Sequence, residues 1–135
     1  MKKILLTCIA VACSLVAVAG ELLIEAESFS RRGGWVLDQQ FMDQMGSPYL
    51  MAHGMGIPVA DATAEINIPQ AGTYYVYART YNWTSPWTDA EGPGKFRLAL
   101  GGRLLKATLG HTGNSWQWQF AGKAVLKAGT TTLAL

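Results

Sequence analysis

Beyond its first nineteen residues the chain has no cysteine; Cys8 and Cys13 are the two it contains. The rest therefore holds neither a disulfide nor a thiolate metal site, and it folds without the staples that small exported domains often need. Charge is equally sparse. Asp, Glu, Lys and Arg make up 15% of the residues and nowhere gather into a run of one sign. Of eleven basic residues, Lys2 and Lys3 stand at the extreme N-terminus, which leaves nine against nine acidic ones. Nucleic acid and anionic membranes both need a concentrated basic patch, so neither is an expected partner. No glycine cluster has the G-x-G-x-x-G spacing after a strand pattern, so no flavin site is expected within this chain. His53 and His111 lie too far apart for a short metal motif. Ser28, Ser30 and Ser47 lack the strand-turn-helix setting of a hydrolase nucleophile. Asp38 and Asp43 have no spacing that would place them around a scissile bond, and they read as solvated or capping carboxylates.

What is present begins with a leader. Met1-Lys2-Lys3 is followed by an apolar run from Ile4 to Val18, shorter than the roughly 20 residues of a membrane span. Ala17-Val18-Ala19 supplies small residues for signal peptidase, so cleavage after Ala19 and export are expected. Lipidation at Cys13 is the weaker alternative, because Ala10-Val11-Ala12 lacks a large aliphatic residue at the usual upstream position. Residues 20–135 are enough for a single domain with a real core.

Their pattern is all-β. Leu22 to Glu27 reads as an opening strand, Trp35 to Asp38 and Tyr49 to His53 as two more, and Gln39 to Met45 as one or two helical turns. Ala62, Ala64, Ile66 and Ile68 alternate with polar residues, which gives a half-buried strand. Pro69 to Gly72 turns the chain into a long strand, Thr73 to Tyr81, with Tyr74, Val76 and Ala78 expected to face the core. Gly101-Gly102 marks a hairpin between Lys95–Leu100 and Arg103–Leu109. Trp116, Trp118 and Phe120 share a strand face and are expected to be core. Thr130 to Leu135 reads as a last strand whose pairing partner is missing, so the domain is expected to lack its final strand. Many short strands with turn-marked spacing make a β-sandwich.

Five tryptophans and five tyrosines are the compositional signal. The loop Asn82-Trp83-Thr84-Ser85-Pro86-Trp87-Thr88-Asp89 collects two of those indoles on a proline-stiffened segment. Indole faces can stack on sugar C–H groups, with Asn82 and Asp89 bonding to hydroxyls. Sandwich-end loops often carry function because the sheets hold them still. The competing reading is that one indole caps the core, or that the loop docks on a neighbouring domain.

Ile24-Glu25-Ala26-Glu27, Pro69-Gln70-Ala71-Gly72-Thr73-Tyr74 and Leu126-Lys127-Ala128-Gly129 resemble carbohydrate-binding modules of families 6 and 35. The string from Gly34 to Gly54, with Arg79-Thr80, Trp83, Pro86-Trp87, Gly92-Pro93-Gly94 and Trp116 to Gln119, resembles more particularly the N-terminal module of exported bacterial FAD-dependent oxidoreductases. The resemblance implies a jelly-roll sandwich of galactose-binding-like type and a non-catalytic, glycan-binding accessory role. It also implies a parent protein whose FAD sits in a flavin domain not present in this chain, and on which this module would dock. In the related modules glutamates at Glu25 and Glu27 help hold a structural calcium, a hard ion suited to oxygen ligands. A later aspartate ligand of that pattern has no counterpart here.

Overall fold

The computed structural model describes residues 20–54 and 56–135. The leader and both cysteines lie outside the described residues. Eight strands form three antiparallel sheets: β1 (Trp35–Asp38) with β2 (Tyr49–Ala52); β3 (Thr63–Ile68), β8 (Gly129–Ala134), β5 (Ala99–Leu100) and β6 (Arg103–Leu104) in that order; and β4 (Gly72–Thr80) with β7 (Gln117–Leu126). A single helical turn, α1 (Met42–Met45), joins β1 to β2, and a 3-10 turn spans Ala26–Ser28. The described chain is an all-β sandwich, as its alternation implies.

The core follows from strand alternation. From β3 and the residue before it come Ala62, fully buried, and Ile68, 2% exposed. Leu98, Leu100, Leu105, Leu109 and Leu133 join them, with Val76, Ala78 and Leu126 packed against the cluster from the β4–β7 sheet. Each fully buried aliphatic side chain contributes about 1.5–3 kcal/mol of transfer free energy. Gly101 and Gly102 both have positive φ (57° and 77°), the conformation a two-residue hairpin turn demands. Val76 and Ala78 do face inward as their alternation requires.

Three expectations are corrected. The strand ending the chain is not short of a partner. β8 pairs with all of β3, Thr63↔Ala134 through Ile68↔Gly129, and on its other edge with Ala99 and Leu100 of β5. A broad groove of about 2240 Å³ runs along the sheets, its lining including Ile66, Val76, Leu100, Leu126 and Leu133. Second, Leu22 to Glu27 is not a strand. The amide and hydroxyl of Ser28 both donate to the Glu25 carbonyl (3.1 and 2.6 Å), which curls the backbone into the 3-10 turn instead of a ladder.

Third, the face of Trp118 and Phe120 is outside. Trp118 is 60% and Phe120 45% exposed. β4 and β7 change register between Val76 and Tyr77, opposite Gly122 and Phe120, and a bulge of this kind breaks the simple alternation. β7 reaches the core through Ala121 and Ala124, three residues apart. Trp116 lies instead in an aromatic cluster with Tyr49 (5.0 Å between centroids) and Tyr81 (5.5 Å), which Phe41 completes from the start of α1.

Tyr49 ties that cluster to the β1–β2 turn. Its hydroxyl donates to the Asp38 carboxylate and accepts from the Phe41 amide (3.0 Å), and Asp38 also accepts from the Gln40 amide (3.3 Å). Asp38 is thus a turn clamp. Burial first, and then the bond to Asp38, push the Tyr49 phenol up to about 12 from 10.0. The unfolded chain ionises this tyrosine near pH 10 while the folded chain keeps it neutral. Its contribution is therefore whole below pH 10 and is lost as pH rises toward 12. Tyr49→Phe should lower stability at neutral pH by about 1–3 kcal/mol, since it leaves the Phe41 amide without its acceptor and takes one of two donors from the Asp38 carboxylate. It should also flatten the alkaline decline of the urea midpoint relative to wild type; parallel alkaline slopes would refute the assignment.

Candidate functional site

The segment after β4 does not wander. Backbone amides of Ser85, Trp87 and Thr88 bond to the carbonyls of Asn82, Thr84 and Thr84 (3.0, 3.0 and 3.2 Å), winding residues 82–88 into consecutive turns. Asn82 anchors them. It is 4% exposed; its Oδ1 accepts from the Thr84 hydroxyl (2.9 Å), and its Nδ2 donates across to the Gly113 carbonyl (3.5 Å). Gly92 passes directly over the Asn82 carboxamide, where a Cβ would sit 1.9 Å from Oδ1. A larger residue at 92 would push the two strands of the loop apart.

The opposing wall is the turn at residues 110–114. Gln119 holds it from the sheet, accepting from the Gly110 amide (3.0 Å) and donating to the Thr112 hydroxyl (2.9 Å). Gln117 donates to the Thr112 carbonyl (3.0 Å). The Gly92 amide donates to the His111 carbonyl (2.9 Å), which joins the two loops backbone to backbone. Between them lies a cleft of about 410 Å³, lined by Asn82, Ser85, Thr88, Asp89, Glu91 and the 111–114 turn. Glu91 sits 2.7 Å from Lys95 and 3.6 Å from His111. The hydrogen bond and charge of Lys95, and then His111, hold the Glu91 carboxyl below its ordinary range, so it enters the site as an acceptor. His111 Nδ1 is buried without a hydrogen-bond partner among the described residues.

Asn82 and Asp89 are thus brought into one cleft, but Asn82 spends its polar atoms inside the protein and serves to position the loop. Trp83 and Trp87 stand beside the cleft and do not line it. Their rings meet edge to face, 6.0 Å apart at 69°, so they form a corner and not a flat platform. Trp87 is 72% exposed and presents the open face; Trp83 borders the groove along the sheets. Glu91, His111 and Thr112 were not legible as site residues. Glu91 lies at the end of the tryptophan loop itself, and His111 and Thr112 follow Gly110 in a separate turn, with nothing in the sequence to say that it faces that loop.

Glu25 and Glu27 do not share a strand face. Glu25 is extended (φ −82°, ψ 116°) ahead of the 3-10 turn and Glu27 lies within it, its carbonyl accepting from the Arg32 guanidinium (3.2 Å). Among the described residues no three Asp, Glu, His or Cys side chains converge as a metal cluster. Calcium takes 6–8 oxygens, and among the described residues Glu25 and Glu27 belong to no larger group of acidic side chains that would supply them. No helix among the described residues is long and apolar enough to cross a membrane.

No protein-family model matches the chain, and no curated protein sequence matches it. Among solved structures it is similar to a GH26-CBM35 β-(1,4)-mannanase of Podospora anserina, with TM-score 0.60 and 18% sequence identity, over 82% of this chain and 23% of the mannanase chain. At that identity the likeness establishes the fold. The chain therefore shares its all-β sandwich with part of an enzyme that carries a carbohydrate-binding module.

Two outcomes follow from this geometry. Asn82→Ala should destabilise the chain by about 1–3 kcal/mol through the loss of a buried polar anchor, read as a lower thermal midpoint. Chelation with EGTA should leave the midpoint of this chain where it was. A fall of several degrees on chelation, absent in Glu25→Gln/Glu27→Gln, would mean that these two glutamates do hold calcium.

Proposed function

We propose that the chain is an exported, non-catalytic module that binds glycans in the cleft between residues 82–94 and 110–114. The observation that carries this is an open indole, Trp87, standing beside a polar cleft on a sandwich shared with a CBM35-bearing mannanase. A sugar ring would stack its C–H face on Trp87. Its hydroxyls would donate to the carboxylates of Asp89 and Glu91, with Glu91 kept ionised by Lys95. Because Asn82 and the two glutamines fix the loops from within, little ordering entropy is spent on binding. A few such contacts give micromolar to millimolar affinity, on the order of −4 to −8 kcal/mol.

A second reading places the same exposed indoles against a flavin domain of an FAD-dependent oxidoreductase, of which this chain would be the N-terminal module. It is favoured by the solvent exposure of Trp83 and Trp87 as an adjoining pair, which suits a docking surface as well as a sugar.

The first probes are soluble β-1,4-linked manno-oligosaccharides, chosen from the specificity named for the similar enzyme. Trp87→Ala should weaken binding about tenfold or more, equivalent to about 1.4 kcal/mol, while circular dichroism stays unchanged. Undiminished binding in both Trp83→Ala and Trp87→Ala would remove the loop from the site. No binding to any neutral glycan would favour the docking reading.

A further inference from the structure

The outer face of the β4–β7 sheet is a second, distinct candidate surface. Cross-strand pairing sets Tyr75 opposite Lys123, Tyr77 opposite Phe120 and Arg79 opposite Trp118. Successive ranks on one face of a strand are separated by about 6.6 Å, so the rings form a ladder along the sheet. Tyr77 and Phe120 lie 5.2 Å apart between centroids, and Tyr75 and Phe120 6.5 Å. Tyr75 is 59% and Tyr77 53% exposed, comparable with Trp118 and Phe120. A face of four aromatic rings left in water is unusual for a surface with no role, because such contiguous apolar patches normally mark interaction sites.

Charge narrows the occupant. Neither β4 nor β7 contains an acidic residue, and the face carries two of the nine cations of a domain whose basic and acidic residues are equal in number. Lys123 Nζ sits 4.8 Å from the centre of the Tyr75 ring. Arg79 donates to the Met45 carbonyl of α1 (3.0 Å), a neutral acceptor that leaves its charge uncompensated. Among the described residues neither cation belongs to an ion pair. A neutral sugar chain would use the rings and leave both charges idle. A cationic or apolar partner would oppose or bury them.

We propose that this face binds an anionic polysaccharide, its sugar faces lying on the ladder of rings and its carboxylates or sulfates meeting Lys123 and Arg79. Charge attraction of this exposed kind is screened by salt, whereas ring stacking is not. The site is separate from the loop cleft and goes beyond the reading given above: either can fail while the other stands.

The test uses the full chain with three probes: polygalacturonate for carboxylates, dextran sulfate for sulfates, and β-mannan as the neutral control. Binding to at least one anionic polymer is expected, weakening about tenfold in Tyr77→Ala/Phe120→Ala and about threefold in Lys123→Gln, with a shallower salt dependence in the latter. The two anionic probes separate the sources of negative charge. Lys123→Gln leaves the rings intact, so it reads the site even if the double variant fails to fold. Equal binding of β-mannan through the same face would overturn the charge assignment. Anionic binding indifferent to all three face substitutions would overturn the site. Concentration-dependent dimers that disappear in Tyr77→Ala/Phe120→Ala, with no binding of any polymer, would overturn the ligand class and make the face a protein contact.

Discussion

The pairing of β4 with β7 is the constraint on which the rest depends. In an antiparallel pair each residue must face one side or the other, so one ladder fixes two surfaces at once. Its inward side delivers Val76, Ala78, Ala121, Ala124 and Leu126 to the core. Its outward side is left with the rings of Tyr75, Tyr77, Trp118 and Phe120. The bulge at Val76–Tyr77 keeps both arrangements compatible, since without it Phe120 and Ala124, an even number of residues apart, would share a face. Small residues inside and large ones outside reverse the usual distribution of a strand.

The same ladder holds the loop site. β4 runs into Asn82 and β7 begins beside Gln117, so the loops that leave them are neighbours from the start. Their contact is made by side chains reaching from ordered strands into turns: Gln117 and Gln119 to one loop, Asn82 to both. This is an internal polar scaffold, satisfied by protein partners, with a separate set of acidic and aromatic groups left for a ligand. The division matters chemically. Under the proposed glycan-binding role, groups spent on holding the loops would need no reorganisation when a sugar arrives, and those that face the cleft would exchange water for hydroxyls.

How far the sequence anticipated this depends on the range of the forces involved. The alternation from Ala62 to Ile68 and the Gly101-Gly102 turn were legible because each is set by residues within a few positions of one another. The face of Trp118 and Phe120 was not, because a bulge depends on where two distant strands fall out of register. The opening segment misled for a related reason. Leu22 to Glu27 has strand composition, but composition cannot show whether a neighbouring strand exists to receive it, and Ser28 offered a local alternative. The tryptophan loop could be found by its content, whereas its partnership with His111 and Thr112 is tertiary and leaves no trace in spacing.

The central place of β8 between β3 and β5 has a consequence for the order of events during synthesis. β3 is made early, yet among the described residues its strand neighbour, apart from a bridge between Thr63 and Arg31, is β8, made last of the eight. The β5–β6 hairpin can close on its own, but it cannot join β3 until β8 has emerged to be laid between them. Ribosomal synthesis runs from the N-terminus at about 5–20 residues per second, so β3 waits several seconds with both edges bare. Pairings between such distant segments are also slow to form. The nascent chain is therefore most exposed to wrong partners just before β8 arrives, and that is the interval in which shielding by a chaperone would matter.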